Sequence, residues 1–125
     1  MPTSSARVEA WKSAWESRDP ARVVALYTRD ATHQSALIAK IYPELGKLSL
    51  TGHHEIGVYA RRGLERYTEL RFEILTVTES SESDRAAVEY RRHSNLDGAN
   101  PVHVLELIEW RDALISSVRV FHFGA

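Results

Sequence analysis

A chain of 125 residues, 43% hydrophobic and 26% charged, has the balance of one soluble domain able to bury a single core. Its formal charge of −1 gives no general attraction for nucleic acid or an anionic membrane, and no apolar run approaches the length of a membrane span. With no cysteine, the chain cannot form disulfides, thiolate metal sites or cysteine nucleophiles. The opening M-P-T-S-S-A-R carries no apolar signal segment, so the cytoplasm is the default compartment.

Ser4 or Ser5 can cap a first helix whose face is drawn by Val8, Trp11 and Trp15, with Ala10 and Ala14 extending it. The helix stops near Ser17-Arg18. Asp19-Pro20 starts a second one, with Asp as N-cap and Pro at the first helical position. Val23, Val24, Leu26 and Tyr27 give it an inner face, and it is predicted to end at Asp30-Ala31. A short strand is expected over residues 32–36, and another at Leu48-Ser49-Leu50. Residues 37–47 read either as a helical turn broken by Pro43 or as a covering loop. Thr51-Gly52 introduces a third helix with Ile56, Tyr59 or Ala60, Gly63 or Leu64, and Tyr67 at helical spacing.

From Glu69 the period changes to two, with Leu70, Phe72, Ile74 and Thr76 on one face. A polar turn over residues 79–84 leads to a strand from Arg85 to about Asn95. Asp97-Gly98 then turns the chain into a closing hairpin, Val102 to Phe123. Three helices followed by four long antiparallel strands define an α+β fold, a single domain over residues 1–125.

A three-residue turn at Arg111-Asp112-Ala113 would pair Trp110 with Leu114 and Glu106 with Val118. Val102, Val104, Glu106, Ile108, Trp110, Ser116, Val118, Val120 and His122 then share one face. Regular pairing across Asp97-Gly98 places Tyr90 near Glu106 and Arg92 near Val104. A one-residue slip would bring in Glu89, Arg91 and His93 instead.

The order of these elements resembles the nuclear transport factor 2-like superfamily, in particular its SnoaL-like, polyketide cyclase-like branch. The phrase D-P-A-R-V-V-A-L-Y-T-R-D-A-T (Asp19 to Thr32), Gly52 followed by Ile56 and Tyr59, and the turn Trp110-Arg-Asp-Ala-Leu-Ile115 carry the resemblance. It spans essentially the whole chain. The resemblance implies a cystatin-like cone, in which three N-terminal helices pack on a curved antiparallel sheet around a pocket for a small hydrophobic molecule. Members include isomerases, dehydratases, epoxide hydrolases, cyclases and non-enzymatic association domains, so the fold does not settle the activity.

Carried over by position, the steroid isomerase base falls on Ser35, the oxyanion tyrosine on Trp11 and the protonated carboxylic acid on Glu106. One role in three is filled, which argues against steroid isomerisation. The epoxide hydrolase aspartate falls on Val120 and its arginine–x–aspartate near Val88 and Tyr90, so that water-activating set is missing.

What remains is a candidate site of Glu106, His33 and Tyr90 as catalytic residues. Trp11, Ser35, Tyr59, Arg92, Val104, Val118 and His122 are the candidate ligand-binding residues. A carboxyl in an apolar pocket has its pKa pushed up and suits acid/base chemistry on an enolisable ligand. Arg92 within reach would turn it into an ordinary ion pair that holds the sheet. His33 either relays a proton or caps the pocket as a neutral polar residue. No cofactor is implied and no metal, since His53-His54 diverge on a helix start and His93 with His103 lacks a third ligand.

The opposite hairpin face carries Leu105, Leu107, Ile115, Phe121 and Phe123 where it should meet water. That much apolar surface predicts a partner, and the resemblance makes it a homodimer.

Overall fold

A computed structural model describes residues 4–80, 82 and 84–124 of the chain. The first helix, α1 (Ser4–Glu16), buries Val8, Trp11 and Ala14 and half-buries Trp15, as helical spacing requires. Ala10, expected on that face, is exposed. The side chains of Ser4 and Ser5 and part of the polar turn at 79–84 lie outside the described residues, so the expected N-cap does too. Arg18 breaks the chain with a left-handed φ of 60°. Asp19 then caps α2 (Pro20–Val24) by accepting from the Ala21 amide at 2.9 Å.

The second helix is much shorter than the sequence suggests. It ends at Val24, and β1 (Tyr27–Gln34) begins where a helix was expected to continue. The cause is tertiary. The Ile115 amide donates to the Leu26 carbonyl at 2.7 Å, and β1 lies parallel to β6 (Leu114–His122). A strand edge supplied from elsewhere in the chain outweighs a local helical spacing.

Residues 37–47 resolve into α3 (Ile38–Ile41) and a 3₁₀ turn (Pro43–Leu45). After β2 (Ser49–Thr51) comes the long helix α4 (Gly52–Glu65), which buries Ile56, Tyr59, Ala60, Gly63 and Leu64. Four α-helices therefore replace the three expected, with β1 and β2 set between them.

The remaining strands are β3 (Leu70–Ser80), β4 (Arg85–Ser94) and β5 (Val102–Arg111). With β6 they complete a six-stranded sheet ordered β2-β1-β6-β5-β4-β3, mixed rather than wholly antiparallel because β1 and β6 run together. No described helix is long and apolar enough to cross a membrane.

The register differs from expectation in both late hairpins. Between β4 and β5 the connecting loop is longer than assumed, and Tyr90 pairs with Val104 and Val88 with Glu106. Between β5 and β6 the turn is only Asp112-Ala113, with the left-handed φ of 58° on Asp112, so alanine at 113 needs no such conformation. Glu106 pairs with Val120, not Val118.

Shifts of two residues keep each side chain on its expected face. A β-bulge does not. Ser116 is the extra residue between the Glu109–Ser117 and Trp110–Ile115 pairs, so Ile115 turns inward and is 1% exposed. Ile115 therefore belongs to the core and not to the outer face. A second bulge at Leu75 moves Thr76 off the inner face and puts Val77 opposite Val88.

Gly52 opens α4 at φ 82°, and a Cβ there would meet the Arg29 carbonyl oxygen at 3.3 Å. Both the left-handed backbone and the close approach require glycine. Gly52→Ala is expected to cost about 1–3 kcal/mol in urea unfolding. A variant as stable as the parent would show that the α4 start relaxes freely.

Candidate functional site

The sheet and the helices enclose a cavity of about 60 Å³. Each of its walls follows from an element's periodicity. Trp15 comes from α1, Tyr59 from the buried stripe of α4, Phe72 from β3 and Tyr90 from β4. Leu37 and Ile41 cover one side. That covering segment is latched by Arg62, whose guanidinium donates to both Glu44 oxygens at 2.9 and 2.7 Å and lies 4.9 Å from the Tyr42 ring. The guanidinium holds the Glu44 carboxyl down to about 2.

Glu106 is the polar centre of this cavity. It points inward from β5, 6% exposed, and its Oε1 accepts from the Tyr90 hydroxyl at 2.5 Å. Burial pushes its pKa up to about 7. The Tyr90 bond and the nearby Trp11 indole N–H pull against that rise. The indole falls short of hydrogen-bond geometry, and Trp11 Nε1 has no partner among the described residues.

The Glu106–Arg92 ion pair, the alternative to an acid/base role for this carboxyl, does not form among the described residues. Arg92 also faces the cavity, but its Nε and Nη2 both reach Asp97 at 3.2 Å, and Ser94 Oγ donates to the same carboxylate at 2.7 Å. Among the described residues Glu106 has no cationic partner. That absence is what separates it from a structural salt bridge.

His33 is 3% exposed and held neutral, its pKa lowered to about 4 by burial. Its Nδ1 lies 3.1 Å from the Tyr27 hydroxyl and its ring 5.5 Å from that of Tyr59. Burial raises Tyr59 to about 12, with the Ser35 hydroxyl beside it opposing the rise. Ser35 also accepts from the Leu37 amide at 3.2 Å, which fixes the start of the covering segment. His122 is half-buried at the cavity wall, its pKa lowered by burial and then by Arg92.

Of the residues singled out from sequence, Glu106, His33, Tyr90, Ser35, Tyr59, Arg92 and His122 meet around the cavity. Trp11, Val104 and Val118 do not line it. They are buried behind the wall, Trp11 packing on Phe72 at 5.2 Å and Tyr90 at 5.4 Å between ring centroids.

The sequence reading missed Tyr67, Phe72 and Ile41 as lining, Asp97 as the partner of Arg92, and Tyr27 as the partner of His33. A strand drawn from Tyr27 would have put Tyr27 and His33 on one face. His93 and His103 are engaged separately, by Glu73 at 2.8 Å and Glu89 at 2.6 Å, and no metal-ligand cluster occurs among the described residues.

A six-stranded curved sheet packed with four helices is the α+β architecture of the nuclear transport factor 2-like and cystatin-like folds. The SnoaL-like domain family matches residues 8–118, and the chain belongs to it. A search of curated proteins finds no match.

Among solved structures it is similar to a SnoaL-like protein of unknown function from Burkholderia thailandensis E264. The two are 23% identical over 93% of this chain and 90% of that one, with a TM-score of 0.76. A candidate polyketide cyclase from Sinorhizobium meliloti is 16% identical, covering 92% and 93%, with a TM-score of 0.71. A protein with a ketosteroid isomerase-like fold from Catenulispora acidiphila DSM 44928, in complex with trimethylamine, is 20% identical over 92% and 83%, with a TM-score of 0.71. At these identities the likeness shows the fold alone.

Proposed function

We propose that this single SnoaL-like domain binds a small, largely apolar molecule in the cavity and that Glu106 acts on it as general acid or base. The reaction class is an isomerisation or cyclisation of an enolisable ligand. One observation carries this reading: a buried carboxyl with a pKa near 7 in a largely apolar pocket, bonded by Tyr90 and without a cationic partner among the described residues. A group that titrates near neutrality gives and takes a proton with least penalty. Tyr90 orients the carboxyl, while His33 on β1 and Ser35 just after it supply further polar groups at the cavity. Arg92 is neutralised by Asp97 and contributes shape more than charge.

The neighbours lend support at the level of class, one being a candidate polyketide cyclase and another holding a small organic molecule. The cavity volume of about 60 Å³ favours a compact ligand over a steroid-sized one. The same narrowness supports a second reading, a ligand-binding or association domain without turnover.

Native mass spectrometry of the purified chain would identify a co-purifying molecule, and turnover of that molecule then decides between the two. Glu106→Gln should lower turnover by at least about 10²-fold while the fold survives. Unchanged turnover rejects the acid/base role.

We further propose a homodimer through the outer hairpin face. Phe121 and Phe123 are 48% and 50% exposed there, beside half-buried Leu105 and Leu107, and His103 stacks on Phe123 at 4.2 Å. Sedimentation should give a dimer at micromolar concentration, and Phe121→Lys should shift it to monomer. A parent chain that sediments as a monomer removes this proposal.

A further inference from the structure

Tyr27 and His33 form a buried pair on β1 that the acid/base reading does not use. Tyr27 is 1% exposed, and among the described residues its hydroxyl has the Nδ1 of His33 as its hydrogen-bond partner, at 3.1 Å. A buried phenol must place its proton on an acceptor or lose a hydrogen bond outright. His33 Nδ1 can accept only if it is unprotonated. Were Nδ1 the protonated nitrogen, it would donate to the phenol oxygen, and the Tyr27 proton would have no acceptor among the described residues. Among the described residues, only the tautomer with its proton on Nε2 gives the Tyr27 proton an acceptor.

Nε2 lies across the ring from Nδ1, and His33 lines the cavity while Tyr27 does not. The backbone behind the pair is fixed as well, because His53 Nε2 donates to the Tyr27 carbonyl oxygen at 2.9 Å. Trp15 and Tyr59 flank the imidazole, with ring centroids at 6.4 and 5.5 Å, and limit its rotation.

We infer that His33 is a fixed neutral donor whose Nε2–H bonds an oxygen of the bound molecule, and that Tyr27 is the positioning residue that sets this tautomer. The inference rests on the cavity being a ligand site. It narrows the ligand to a molecule presenting a carbonyl or enol oxygen to β1, and it disfavours an amine at that point. A neutral donor of this kind stabilises developing negative charge on the oxygen without itself losing a proton. It leaves the proton transfer to Glu106.

Long-range ¹H–¹⁵N correlation spectra of the ¹⁵N-histidine-labelled chain at neutral pH test the assignment. His33 signals are identified by their loss in His33→Gln. The expected pattern is a protonated Nε2 and a bare Nδ1; an Nδ1–H tautomer or an imidazolium overturns the inference. Tyr27→Phe should give a mixed or reversed tautomer, and an unchanged pattern removes the positioning role. Should that variant fail to fold, the parent spectrum still decides the tautomer.

Titration with cyclohexanone should shift the His33 Nε2–H signal while cyclohexylamine leaves it in place. No shift with the ketone overturns the donor role. Failure of the acid/base reading is seen separately, as unchanged turnover in Glu106→Gln with the tautomer pattern intact.

Discussion

Glu106→Gln is expected to unfold at a higher urea concentration than the parent at about pH 9 and at nearly the same concentration at about pH 4. Burial raises the Glu106 pKa from 4.5 to about 7, so between these values the folded chain keeps a proton that the unfolded chain has lost. Stability is thus fully present below 4.5 and is lost as pH rises through 7, by about 3 kcal/mol in all. Glutamine keeps an oxygen for the Tyr90 hydroxyl and has nothing to ionise, so it escapes that loss.

His33 works in the opposite sense. Its pKa falls from 6.5 to about 4, so its contribution is present above 6.5 and is lost as pH falls through 4. The two windows overlap, and in the parent their slopes largely cancel. Each variant should expose the other group. Glu106→Gln should gain stability steeply between pH 4 and 6.5, and His33→Gln should lose it between pH 4.5 and 7. Urea midpoints measured across the range check this. Parallel profiles for the parent and both variants would mean that neither group is buried as described.

Trp11→Ala should be the most destabilising single truncation in the first helix, by about 3–5 kcal/mol. The indole is fully buried and packs against Phe72 and Tyr90 directly behind the cavity. For a chain of this size the loss corresponds to a fall in Tm of roughly 10–20 °C. Trp11→Phe keeps most of the aromatic contact and removes an indole N–H that has no partner among the described residues, so it should cost far less. Thermal unfolding followed by circular dichroism separates the pair. An alanine variant within a few degrees of the parent would place Trp11 outside the core.

The class of fold was legible because periodicity changes from helical to two-fold at Glu69 and turn residues separate the four long strands beyond it. The limits of legibility are equally physical. Leu26 and Tyr27 sit at helical spacing, yet the Ile115 amide claims the Leu26 carbonyl and draws the segment into a parallel pairing that no local pattern encodes. Turn lengths misjudged by a residue or two shifted both late registers by two, which preserves faces. For that reason Tyr90 and Glu106 were correctly placed together although their backbone pairing was not. The bulge at Ser116 breaks that parity, and it is why Ile115 was assigned to the wrong side.

Glu106 announced itself as a charge among Val104, Ile108 and their neighbours. Its freedom from Arg92 could not be read, because Asp97 competes for that guanidinium from an irregular loop whose path only the folded chain defines. Asp97, not Glu106, is held below the ordinary carboxylate range by Arg92 and Ser94.

The parallel contact between β1 and β6 also orders assembly in time. The strand that carries His33 and leads into Ser35 cannot complete its ladder until a segment from the opposite end of the sequence has arrived, and the Arg111–Asp30 ion pair bridges 81 positions at 2.7 Å. Closing so long a loop costs entropy before any contact repays it, so docking of this strand belongs among the late steps on the way to the native state. A chain interrupted before Leu114 would hold β1 and the β3–β5 meander with the strand that joins them missing. It would expose Tyr27, Ala31 and Val118's former neighbours as a sticky edge, a hazard best met by chaperones while synthesis is under way.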